Sequence, residues 1–197
     1  MSTEPLQESE QPEKPKRKRI IIGGIPPNAV PAIIDDTLFI ANLCTDAARN
    51  VGLAFGEYEI SLWHHKHYHN RLHLGEDDGS KRNGIDSHIV EDIVERSLKQ
   101  LFHYSGMFTS FKFINFPHQA DKIHKVVLKE LQDSGEMLNV VIEAHLLGLA
   151  NYQITIVTAK CHDNFKMGLG QYAIELQGDT SVLRRLVNNK LEEIYSI

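Results

Sequence analysis

Residues 152–159, YQITIVTA, constrain this chain most. The run is dense in β-branched side chains, which lose χ1 freedom in a helix and pack well on a pleated surface. Ile154, Ile156 and Thr158 alternate with Thr155, Val157 and Ala159, the period of a strand. A strand needs a partner, and residues 138–144 (LNVVIEA) supply one. Residues 121–132 fit two templates. Ile123, Val127 and Leu131 recur at helical spacing, while KVVLKEL followed by DSGE reads as one arm of a hairpin. The strand is preferred, because LNVVIEA then gains a second neighbour. Residues 58–62 (YEISL), 111–116 (FKFINF, ended by Pro117) and 171–176 (QYAIEL) complete the expected strands.

Helices are expected around these strands. Asp35 or Asp36 can cap one running to about residue 51, with Ile40, Leu43, Ala47 and Val51 on one stripe and Gly52 as its stop. Asp86 or Ser87 can cap another to about residue 102. Asp179 or Thr180 can cap a last one, with Leu183, Val187, Leu191 and Ile194 facing inwards. The expected fold class is therefore α+β: N-terminal helices packed on a twisted antiparallel β-sheet, with a C-terminal helix.

A chain of 197 residues, 42% hydrophobic, can bury one ordinary core. Residues 1–19 are polar and end in the basic run KPKRKR, which reads as a disordered tail. Residues 20–56 read as an extended, proline-interrupted arm followed by the packing helix, and residues 57–197 as the α+β domain. The net charge of −5 excludes a generally basic nucleic-acid coat, so an RNA partner would need a local positive patch. A protein partner can be met through the N-terminal tail and arm. Cys44 and Cys161 make neither a disulfide framework nor a CxxC pair, which fits a reducing compartment. No stretch reaches the roughly 18 apolar residues of a membrane span, and the glycines and prolines of residues 20–34 spoil an export signal. A cytoplasmic protein with no membrane partner and no cofactor is the expectation.

The chemistry concentrates in residues 63–74, WHHKHYHNRLHL, which hold five of the eleven histidines. Read as a helix, this stretch places His67 and Arg71 one turn apart on one face. An imidazole moves protons near neutral pH, and a guanidinium fork grips two phosphate oxygens. His64 and His65 can replace His67 after a small change of helix phase. His145, at the end of LNVVIEAH, can be a second proton carrier if it faces the helix. Lys66, Lys81, Arg82 and Lys160 are secondary phosphate contacts. His65 and His69 at i, i+4 can instead share a metal with Asp77 or Asp78, although no third and fourth ligand stands out. The plain alternative is an amphipathic helix whose outward histidines are simply solvated.

The order YEISL, then His67 and Arg71, then RNGID opening the helix IVEDIVERSL, then LNVVIEA and YQITIVTA, resembles the RelE-like or barnase–EndoU–colicin-type (BECR) ribonuclease domains. The resemblance covers about residues 57–176. It implies metal-independent RNA cleavage of the toxin or defence-effector kind. His67 would match the helix base or acid, Arg71 the phosphate-binding arginine, and Thr158 the strand hydroxyl at the scissile phosphate. The loop of residues 75–84 is longer than the compact versions need. A non-catalytic nuclease-like protein acting through partners, and a histidine-centred metal hydrolase, are the alternatives.

Overall fold

The structure, a computed structural model, describes residues 35–52, 58–74, 85–118 and 122–197, and of residues 71–74 the backbone only. The expected tail and most of the arm lie outside the described residues. Among these residues nine strands pair into a single mixed sheet. They are β1 (Ala48–Asn50), β2 (Glu59–His65), β3 (Ile114–Asn115), β4 (Val126–Leu131), β5 (Met137–Gly148), β6 (Asn151–Cys161), β7 (Tyr172–Gln177), β8 (Thr180–Val187) and β9 (Lys190–Ser196). The helices are α1 (Lys66–Leu74) and α2 (Ser87–Met107). The strand order is β1-β2-β6-β5-β4-β7-β8-β9, with β3 pairing on β5 beyond the end of β4.

The period-2 pattern of each strand sorts its side chains onto two faces. On β5, Leu138, Val140, Ile142 and Ala144 join the main core, and Asn139, Val141, Glu143 and His145 take the other face. Helix α2 covers the core face. Asp86 caps it by accepting from the His88 amide, and Val90, Ile93, Val94, Ser97, Leu98, Leu101 and Tyr104 form its buried stripe. They pack against Ile60, Leu62, Leu128, Ile154, Ile156 and Ile174, each fully buried. Each such side chain contributes about 1.5–3 kcal/mol of transfer free energy. Two polar contacts fix the helix along its axis. The Tyr104 hydroxyl reaches Ser181 O at 2.9 Å, and Arg96 forks onto Glu130 of β4 at 2.7 and 2.9 Å.

The second face is roofed by irregular chain rather than by helices. Residues 42–44 lie over β5 and β6, and Phe165 and Met167 cover Val127, Val141 and Ala173. This arrangement overturns the expected fold class in three places. The helix expected to about residue 51 is a single 3-10 turn, Asp36–Leu38, then an irregular stretch, then strand β1. Asn42 is the reason: its side-chain oxygen accepts from the amides of Cys44 and Thr45, an Asx-type turn, and Ile40 then pairs with Ala48. The expected C-terminal helix is the hairpin β8–β9. The sheet is mixed, because β2–β6, β3–β5 and β4–β7 are parallel.

The hairpins declare themselves in two dipeptides. Gly178-Asp179 joins β7 to β8 with Gly178 at φ 66, and Asn188-Asn189 joins β8 to β9 with both residues left-handed, at φ 48 and 61. Positive φ at both centres is the signature of a type I′ turn, which matches strand twist. Substitutions at Asn189 separate the hairpin from a helix. Asn189→Gly is expected to leave stability unchanged or raise it, while Asn189→Val costs about 1–2 kcal/mol. A helix would give the reverse order, since glycine is the poorer helix former. Urea unfolding of the two variants decides it.

Candidate acid–base site

The second face of the sheet carries a polar cluster at the β5–β6 end. Glu143 is buried in the middle of β5, between two cationic or proton-bearing partners. His145 Nε2 lies 2.7 Å from Glu143 Oε1, and Lys125 Nζ lies 3.1 Å from Oε2. Glu143 and His145 meet because residues two apart on a strand share a face. Burial pushes the Glu143 carboxyl up, but the hydrogen bonds from His145 and Lys125 outweigh it, and the net shift is downwards from 4.5. The group is therefore a carboxylate at neutral pH and can only accept. His145 must then carry a proton on Nε2, and in the neutral imidazole Nδ1 is the acceptor.

Three further groups close the cluster. Cys44 leans on Glu143 and Thr155, and burial first, then the Glu143 charge, pushes its thiol up to about 12. Cys44 is accordingly a neutral donor, not a thiolate nucleophile. Asn42 Nδ2 donates to Thr155 Oγ1 at 3.0 Å, which pins the roofing segment to β6. His65, the last residue of β2, feels Lys125 and Glu143. Burial, with His67 and Lys125, lowers its pKa below 6.5, so it is neutral at pH 7.

The residues expected from sequence divide among three places. His145 belongs to the cluster, where its ring meets Glu143 of its own strand rather than a histidine of α1. Thr158 shares the cluster's sheet face. The bulge at Val157, opposite the step from Val141 to Ile142, moves it out of the row of Ile154 and Ile156. Its register partner is Val141, four residues along β5 from His145, or about 13 Å. Its hydroxyl is buried and finds no hydrogen-bond partner among the described residues. His64 points to the core face, with Nε2 3.2 Å from Glu91 Oε1 and its ring edge-on to Tyr68. The sheet thus separates His64 from His145.

His67 is exposed in the first turn of α1, its amide donating to His65 Nδ1 at 3.0 Å. Arg71 follows one turn later, its side chain outside the described residues. Because β2 runs to His65, neither His64 nor His65 is on the helix. The i, i+4 geometry proposed for a metal on His65 and His69 therefore does not form. His69 instead meets Phe39 edge-on, and Asp77 and Asp78 lie outside the described residues. Among the described residues no three His, Cys, Asp or Glu side chains converge as metal ligands, and no helix is long and apolar enough to cross a membrane.

Sequence reasoning missed Glu143 and Lys125 as members of a site, and it put His65 on a helix rather than at the end of β2. The Glu-x-His spacing inside LNVVIEAH was the available signal, since it places an acid and an imidazole side by side on any strand.

No family model matches the chain, and neither a curated protein nor a solved structure matches it.

Two titrations test the electrostatics. Glu143 has a folded-state pKa below that of the unfolded chain. Its contribution to stability is complete above pH 4.5 and is lost as pH falls through the lowered value. The urea midpoint of the wild type should therefore fall more steeply below pH 4.5 than that of Glu143→Gln; parallel slopes would refute the pairing. The His65 ring should titrate by NMR with a midpoint below 6.5.

Proposed function

We propose that this chain is a metal-independent ribonuclease whose proton-handling centre is the Glu143–His145–Lys125 cluster rather than α1. One observation carries the reading. A central strand, buried on both faces, holds a carboxylate clamped by an imidazole at 2.7 Å and an ammonium at 3.1 Å. Burying an ion pair contributes little net stability, because desolvation cancels most of the Coulomb gain, and apolar side chains of the same size would serve the fold as well. Such a group is better explained by chemistry.

RNA brings its own nucleophile, the 2′-hydroxyl, so cleavage needs a base, an acid and a cation. His145 Nδ1 takes the 2′-proton, with Glu143 fixing the tautomer and stabilising the imidazolium. The Lys125 ammonium meets the charge that grows on the phosphoryl oxygens and gives a proton to the leaving 5′-oxygen. The products are a 2′,3′-cyclic phosphate and a 5′-hydroxyl. His67 and Arg71, exposed on α1 or outside the described side chains, are left as contacts along the substrate strand.

Cleavage of a labelled mixed RNA pool in EDTA tests this. His145→Ala, Glu143→Gln and Lys125→Ala should each lose about 100-fold or more in rate, the usual worth of a positioned acid or base. His67→Ala and Arg71→Ala should lose less than about tenfold. The opposite pattern would return the site to α1, and cleavage abolished by EDTA would return it to a metal. No cleavage by any form would refute the ribonuclease.

A further inference from the structure

His145 also lines a shallow cleft of about 430 Å³, walled by Leu43, Phe116, Pro117, His118, Ile123, Leu146 and Leu147. Its rim is built, not incidental. Asn115 ties the end of β3 to His124 and to β5, its amide nitrogen donating to the carbonyls of His124 and Ala144 at 3.0 Å each and its oxygen accepting from the His124 amide at 2.7 Å. Phe116 and His118 follow Asn115 closely in the chain and line the cleft. Phe116 is 55% exposed, with Leu43 at 54%, Leu147 at 46% and Ile123 at 43%. Four large apolar side chains thus stand half in water beside a proton-transfer group.

We infer that this cleft seats a nucleobase, that of the nucleotide whose 2′-hydroxyl faces His145. The inference rests on the ribonuclease reading and names the substrate group that the cleft would take. The lining supplies π-faces and aliphatic walls, and its polar side chains are two imidazoles. A sugar would find too few hydrogen-bond partners there, whereas a flat aromatic ring stacks on Phe116 or His118 and needs few. The volume lies in the range of small-molecule sites and accommodates one base with its ribose. The cleft is continuous with the cluster, because His145 belongs to both. A phosphate held at Lys125 then places the attached nucleoside within one sugar's length of the cleft. Stacking tolerates every base, so the preference among the four bases is set at the rim, where His118 offers a hydrogen bond.

The test separates this subsite from the reading beneath it. The full chain is titrated with each nucleoside 3′-monophosphate, with inorganic phosphate, and with the free nucleosides, and the methyl NMR signals of Leu43, Ile123 and Leu147 are followed. A 3′-nucleotide should bind about tenfold or more tightly than inorganic phosphate while shifting those methyls, and Phe116→Ala should remove most of that difference. Leu149→Ala, fully exposed and outside the cleft, is the control and should change nothing. Equal affinity for phosphate and nucleotide, or an unaltered Phe116→Ala, would overturn the base subsite and leave the Glu143–His145–Lys125 reading standing. Nucleotide binding with the expected methyl shifts in a protein that cleaves no RNA would keep the subsite and overturn the ribonuclease. Shifts from neither ligand would overturn the subsite outright.

Discussion

A carboxylate at the centre of a sheet governs much of this molecule. Glu143 sits on β5, which has strands on both sides and chain over both faces, so water cannot solvate it. An unpaired charge there would be untenable, and a buried acid of that kind ordinarily takes up a proton instead. Lys125 and His145 prevent that, and Cys44 adds a neutral donor. The roof is held by the same logic. Asn42 turns its own chain with one side-chain oxygen and grips Thr155 with its amide nitrogen, so residues 42–44 are tied down by polar contacts rather than by helix packing.

The same face shows a second solution to a similar problem nearer the other end of β5. Lys129 is buried, and its ammonium reaches Asn139 Oδ1 at 2.5 Å, while Asn139 Nδ2 donates to the carbonyls of Met137 and His162 at 2.8 Å each. Burial lowers the lysine pKa, and Glu175 and Asp163 oppose that. This group closes a loop and takes no part in the cleft that His145 lines. Glu143 and His145 differ in having one member on a cleft wall. Polar satisfaction alone therefore explains the Lys129–Asn139 cluster, and the Glu143–His145 cluster has geometry left over.

The strongly periodic parts of the fold were legible. YQITIVTA, LNVVIEA, YEISL and QYAIEL all fall in strands, and Asp86 caps α2 as its sequence indicates. What could not be read were places where two local signals compete. Leu183, Val187, Leu191 and Ile194 fit a helical stripe, but Asn188-Asn189 interrupts it as a turn pair, and turn chemistry prevailed. Ile40, Leu43, Ala47 and Val51 also fit a helix. Asn42 and Thr45 offered the backbone side-chain partners instead, and the segment followed them. The parallel pairings of β2 with β6 and β4 with β7 depend on contacts about ninety and forty-five residues apart, which no local pattern encodes.

The histidine-rich stretch shows why residue density is a poor guide to a site. Histidines crowd residues 64–73, yet the strand-to-helix junction at His65 and Lys66 sends them in different directions. His64 goes to the core face beside Glu91, His65 to the polar face, and His67 to solvent. A run of like residues across a junction cannot converge, because strand alternation on one side and helical rotation on the other spread the side chains. Convergence came instead from a single Glu-x-His step on β5 and a lysine just before the neighbouring β4. Two residues on one strand share a face by necessity, whereas four on a mixed segment share one only by chance. That geometric certainty, more than the number of imidazoles, makes Glu143 and His145 the stronger candidates for chemistry.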